Sequence, residues 1–134
     1  MRDQEVQMDG VVIFFSTHGS VDQLHLYDDF LGERELSNIF LDFESHNLLV
    51  MVLACYSGSF LNVAALINYG IIITATQAGE VGYDMISSAN TIFAEYFIDQ
   101  GMSQCLADTN SDGECRFKKL SSTHMKSVQI LLLQ

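Results

Sequence analysis

Three short, unbroken apolar runs constrain this chain more than any other feature: Val11-Val12-Ile13-Phe14-Phe15, Leu48-Leu49-Val50-Met51-Val52-Leu53 and Ile71-Ile72-Ile73-Thr74-Ala75. Each is rich in branched side chains and continuous rather than alternating, the pattern of a strand buried on both faces of a parallel sheet. Parallel strands need crossovers, and the intervening sequence supplies them. Leu36, Ile39, Phe40 and Phe43 recur at helical spacing with Glu33, Arg34, Glu35, Asp42 and Glu44 around them. Phe60, Leu61, Ala64, Ala65 and Ile67 predict a second, short helix ended by Asn68-Tyr69-Gly70. Ala89, Ile92, Phe93, Tyr96 and Phe97 predict a third, closed by Gln100-Gly101. Strand and helix in alternation mean right-handed crossovers and an α/β sandwich. Residues 20–32 read as a small hairpin, with Leu24, Leu26 and Tyr27 alternating before Asp28-Asp29. The tail Ser127–Leu133 reads as a last strand or as a helical end.

Composition removes several function classes. With 134 residues, 49% of them apolar, the chain is long enough for one domain with a true core. Disorder would combine high net charge with low hydrophobicity, and only the charge, −11, is present. No stretch approaches the roughly 20 apolar residues that a bilayer span needs. Met1-Arg2-Asp3-Gln4-Glu5 puts acids where a signal peptide has its basic region, so a cytoplasmic location is expected. All 17 acids precede residue 116, and four of the six basic residues (Arg116, Lys118, Lys119, Lys126) follow Cys115. An acidic body repels phosphate backbones, which argues against a nucleic-acid partner. Three cysteines without a CxxC argue against a disulfide framework or structural zinc.

Ligands of open α/β sheets bind beyond the carboxyl ends of the strands. The first strand runs into Ser16-Thr17-His18-Gly19-Ser20, the second into Ala54-Cys55-Tyr56-Ser57-Gly58-Ser59, the third into Thr76-Gln77-Ala78-Gly79-Glu80. If the first two strands are neighbours, His18 and Cys55 emerge side by side. A thiol and an imidazole so placed are the minimum for nucleophilic catalysis: the thiolate attacks, and the imidazole takes the proton and returns it to the leaving amine. Gly19, without a Cβ, lets its N–H approach a developing oxyanion. Small residues after Cys55 leave its sulfur uncovered at a helix start, where the dipole favours a thiolate. Each residue also has an ordinary reading. Free cysteine often behaves as a small buried hydrophobe, and a lone histidine at a strand end is more often structure than base. Their matching placement on two strands tips the balance. His25, His46 and His124 are expected to be exposed and inert.

Phe14-Phe15-Ser16-Thr17-His18-Gly19-Ser20 followed by Leu53-Ala54-Cys55-Tyr56-Ser57-Gly58-Ser59 resembles the legumain-type cysteine peptidases of the caspase-like clan. The likeness continues through Ile73-Thr74-Ala75-Thr76 and Glu80-Val81-Gly82-Tyr83. The resemblance implies a caspase-like three-layer α/β sandwich with a mostly parallel sheet, lacking the strand–helix units that precede the histidine strand in the family. It further implies His18 as general base, Cys55 as nucleophile, the N–H groups of Gly19 and Cys55 as oxyanion hole, and Glu80, Val81, Gly82 and Tyr83 as an edge strand for a substrate peptide. Legumain itself has an acid two residues before its cysteine; here Leu53 stands there, so asparagine specificity is not carried over.

One motif lies downstream. Asp108-Thr109-Asn110-Ser111-Asp112-Gly113 matches the first half of an EF-hand calcium loop, with Asp108, Asn110 and Asp112 as candidate ligands. Position 12 is Lys119, where a bidentate glutamate is needed, so the stretch 108–119 reads as a degenerate loop with no metal. Cys105 and Cys115 flank it; they can pair if oxidised, and are expected free in a reducing compartment. The expected activity is endopeptidase hydrolysis of peptide or protein substrates without a cofactor, in a single domain spanning 1–134. The alternatives are a non-catalytic pseudopeptidase module for protein interaction and a calcium-responsive structural domain. An uncovered apolar sheet edge would make the isolated chain self-associate.

Overall fold

The computed structural model describes residues 10–42, 47–66, 70–83, 91–106, 108, 111–113 and 129–132. The three apolar runs form strands β1 (Gly10–Ser16), β5 (Asn47–Leu53) and β6 (Gly70–Thr74). β1 pairs in parallel with β5, and β5 in parallel with β6, in the order β1-β5-β6. β7 (Gln129–Leu132) is antiparallel to β6, so the tail adopts the strand, not the helix, and covers that edge of the sheet. Alternation along β5 divides the core in two. Leu48, Val50 and Val52 join Ile72, Phe60, Val63, Leu36 and Phe40 on one face. Leu49, Met51 and Leu53 join Ile73, Phe93 and Phe97 on the other. Helix α1 (Glu33–Leu41) and a 3-10 helix, Ser57–Leu66, cover the first face, and a π-helix, Ala94–Ser103, covers the second. These are the three layers of an α/β sandwich of caspase-like kind.

Details depart from the periodicity reading. α1 ends at Leu41 with Asp42 as its C-cap, and Phe43 and Glu44 lie outside the described residues. Its buried stripe is Leu36, Ser37 and Phe40, whereas Ile39 is exposed. Glu35 accepts a hydrogen bond from the Gly32 N–H at 3.0 Å; glycine offers no side chain for the reciprocal half of a capping box. The expected hairpin over 20–32 is a three-stranded antiparallel sheet of β2 (Gly19–Ser20), β3 (Gln23–His25) and β4 (Phe30–Gly32). Leu24 is its buried anchor, while Leu26 and Tyr27 sit exposed at the β3–β4 turn, where strand alternation no longer applies. Among the described residues, no helix is long and apolar enough to cross a membrane.

Cys105 is disulfide-bonded, as open to it when oxidised, and is not the free thiol expected for a reducing compartment; the other half of the bond lies outside the described residues. Of the calcium-loop candidates, the Asp108 carboxylate accepts the N–H groups of Asp112 (3.2 Å) and Gly113 (2.8 Å). Asn110 and Lys119 lie outside the described residues. Among the described residues, no group of three or more His, Cys, Asp or Glu side chains converges on a metal position.

Candidate active site

The register of β1 on β5 decides where His18 and Cys55 emerge. Ser16 stands opposite Leu53, His18 follows Ser16 by two residues, and Cys55 follows Leu53 by two. The Thr17 N–H extends the pairing by donating to the Leu53 carbonyl at 3.2 Å. His18 and Cys55 therefore leave adjacent parallel strands at the same level of one sheet edge. Both line a cavity of about 890 Å³, whose buried wall is Leu53, Ala54, Thr76 and Phe93. The His18 side chain is exposed and Cys55, a free thiol, is half-buried.

Each residue is held by its own turn. His18 opens the small sheet: its carbonyl accepts the His25 N–H at 2.9 Å, and the Thr17 hydroxyl donates to the His25 carbonyl. That His25–His18 bond makes Gly19–Leu24 the non-hydrogen-bonded pair of the β2–β3 ladder, which directs the Gly19 N–H away from β3. Gly19 also packs against the turn at Cys55, because a Cβ there would lie 2.5 Å from the Cys55 carbonyl oxygen. Cys55 is followed by Tyr56 at φ 58, a left-handed turn that a non-glycine residue rarely adopts. The Tyr56 N–H donates to the Glu80 carbonyl at 2.7 Å. Glycine is again required at Gly58, where a Cβ would meet Ala78 N at 2.5 Å and Gln77 C at 2.7 Å.

The segment Glu80–Tyr83 crosses the cavity but belongs to no sheet. Its Glu80 carbonyl is taken by Tyr56, its Tyr83 carbonyl by the Ile92 N–H at 3.1 Å. The Gly82 N–H donates to the Cys55 sulfur at 3.3 Å, and the sulfur in turn lies 3.8 Å from the Gly82 carbonyl. In this conformation the thiol is bonded to Gly82, not to His18.

A family model described as the Peptidase C13 family matches residues 4–128. The chain belongs to the peptidase C13 family. C13 membership makes this a legumain-like cysteine peptidase domain and supports cysteine-peptidase function and protein substrates in general. No curated protein matches the chain in a direct comparison.

Within this C13 domain, some of the site was not visible beforehand. His25, expected to be exposed and inert, is half-buried; it packs edge-to-face on Phe30 with ring centroids 5.1 Å apart and lies 3.4 Å from the Ser20 hydroxyl. His46 and His124 lie outside the described residues. The pairing of Ser57 with Thr76 was also missed, though a signal existed: hydroxyl residues follow the ends of two neighbouring parallel strands. The contact of Gly82 with the sulfur had no sequence signal, since any residue supplies an N–H.

Proposed function

We propose that this C13 domain is a cysteine endopeptidase working through a His18/Cys55 dyad. The reading rests on one observation, the equal two-residue offset of His18 and Cys55 from a register pair at the ends of adjacent strands. In the reaction, the imidazole of His18 takes the Cys55 proton, and the sulfur adds to the scissile carbonyl. The oxyanion so formed accepts the N–H groups of Gly19 and Cys55. Collapse of the adduct breaks the C–N bond, with the proton passing from His18 to the leaving amine. Water, deprotonated by His18, then hydrolyses the thioester and frees the thiol. Glu80–Tyr83 would hold the substrate main chain through the Val81 backbone, whose polar groups have no hydrogen-bond partner among the described residues. Peptides and proteins, not nucleic acids, are the partners this acidic chain suits, and the edge of β1, unpaired among the described residues, favours self-association.

A second reading, a pseudopeptidase interaction module, has one observation in its favour: Gly82 occupies the sulfur's hydrogen-bonding positions. A peptidyl acyloxymethyl ketone separates the two. Labelling of Cys55, abolished in both Cys55→Ala and His18→Ala, together with hydrolysis of a fluorogenic peptide library, is the expected result. Absence of both from the wild-type chain would leave the interaction module standing.

A further inference from the structure

We infer that Thr76 and Ser57 form a positioning lock that holds Cys55 in its reactive place, with Thr76 as its centre. The two residues follow different strands, β6 and β5, and are joined by reciprocal bonds. The Ser57 N–H donates to Thr76 Oγ1 at 3.0 Å, and the Thr76 N–H donates to Ser57 Oγ at 3.1 Å. The two hydroxyl oxygens are 3.1 Å apart, and Thr76 Oγ1 lies 3.2 Å from the Ala54 carbonyl. Only one placement of hydrogens satisfies all four contacts. Thr76 gives its proton to the Ala54 carbonyl, so Ser57 must give its own to Thr76. Ser57 is fully buried and Thr76 is 4% exposed, so water cannot replace either partner.

The bonds close on the residues flanking the thiol. Ala54 precedes Cys55, Ser57 follows it by two, and Tyr56 between them holds a positive φ. A left-handed Tyr56 persists only where the surroundings over-determine it. The lock supplies that restraint from β6, and Gly58, seated against Gln77 and Ala78, supplies the matching fit. The hydrogen bonds of Thr76 go to Ser57 and Ala54, not to Cys55 itself; it acts through the direction in which Cys55 leaves the turn. The inference takes its purpose from the peptidase reading above, but its first test needs no substrate.

That test is the rate of Cys55 alkylation by iodoacetamide at pH 6 and pH 9, compared across three variants. Thr76→Val keeps the shape and removes the oxygen. It is expected to lower the pH 6 rate about tenfold and leave the pH 9 rate within about twofold. Thr76→Ser restores the oxygen and should recover most of the pH 6 rate. Thr74→Val makes the same chemical change two residues away, at a buried hydroxyl with no partner among the described residues, and should leave both rates unchanged. An unchanged pH 6 rate in Thr76→Val, equal loss at both pH values, or an equal effect of Thr74→Val would overturn the lock. If Thr76→Val does not fold, Ser57→Ala carries the same comparison. With a peptide substrate, the loss should fall on kcat about tenfold with KM within twofold. Failure of the wild type to cleave any peptide would sink the peptidase reading while the alkylation rates still judged the lock.

Discussion

Two things meet at Gly19: the missing side chain lets β2 approach the Cys55 turn, and the register of the β2–β3 ladder turns the N–H away from β3. A methyl group at this position would meet the Cys55 carbonyl backbone, which cannot swing aside as a flexible side chain can. Gly19→Ala is therefore expected to cut peptide hydrolysis at least about a hundredfold, of the order seen when a reacting group shifts by 1 Å. Comparison of kcat/KM with the wild type checks it; unchanged activity would remove Gly19 from the site. Thr74 presents the opposite case, a fully buried hydroxyl without a hydrogen-bond partner among the described residues. Replacing it with the isosteric valine removes an uncompensated polar group, so Thr74→Val should raise stability by about 1 kcal/mol, read from the urea midpoint.

Among the elements, β5 was the most legible and the π-helix the least. In β5 the side chains of Leu48 to Leu53 alternate between the two layers, so that run is apolar without interruption, and strand type and parallel pairing followed from that alone. The expected helix at Ala89–Gly101 falls where the chain forms the π-helix Ala94–Ser103, because hydrophobic periodicity reports which face is buried and not how tightly the backbone is wound. Ile39 shows the same limit from the other side. Its spacing matches Leu36 and Phe40, yet only those two reach the sheet. The meeting of His18, Gly19 and Cys55 at one sheet edge was legible from their side chains and strand positions. Contacts made by backbone groups, Gly82 on the sulfur and Tyr56 on Glu80, leave no trace in residue type. The contrast is measurable: Phe97→Ala, in the core beside Phe93 and Ile73, should cost about 3–5 kcal/mol, whereas Ile39→Ala on the exposed side of α1 should stay within about 0.5. Similar losses in the two would mean that the layers are packed differently.

For the whole molecule, the sheet is closed on one side and, among the described residues, open on the other. β7 covers β6, but among the described residues nothing pairs with the outer edge of β1, where Val12 and Phe14 are 63% and 46% exposed. Unpaired edges with apolar side chains template association. The chain alone should therefore show concentration-dependent association by sedimentation velocity, reduced in Val12→Lys; a monodisperse monomer in the wild type would count against an available edge.

The bond at Cys105 sets a conflict over redox conditions. A peptidase with Cys55 as nucleophile acts only while that sulfur is reduced, and low-molecular-weight thiols are the usual means of keeping it so. The same thiols attack the disulfide that secures the chain just beyond the π-helix, the helix that covers one face of the sheet. Disulfides in small domains typically contribute about 2–4 kcal/mol, so strong reductant should lower the melting temperature while it protects the nucleophile. Activity plotted against reductant strength would then rise and fall, and Cys105→Ser would start lower and lose the falling limb.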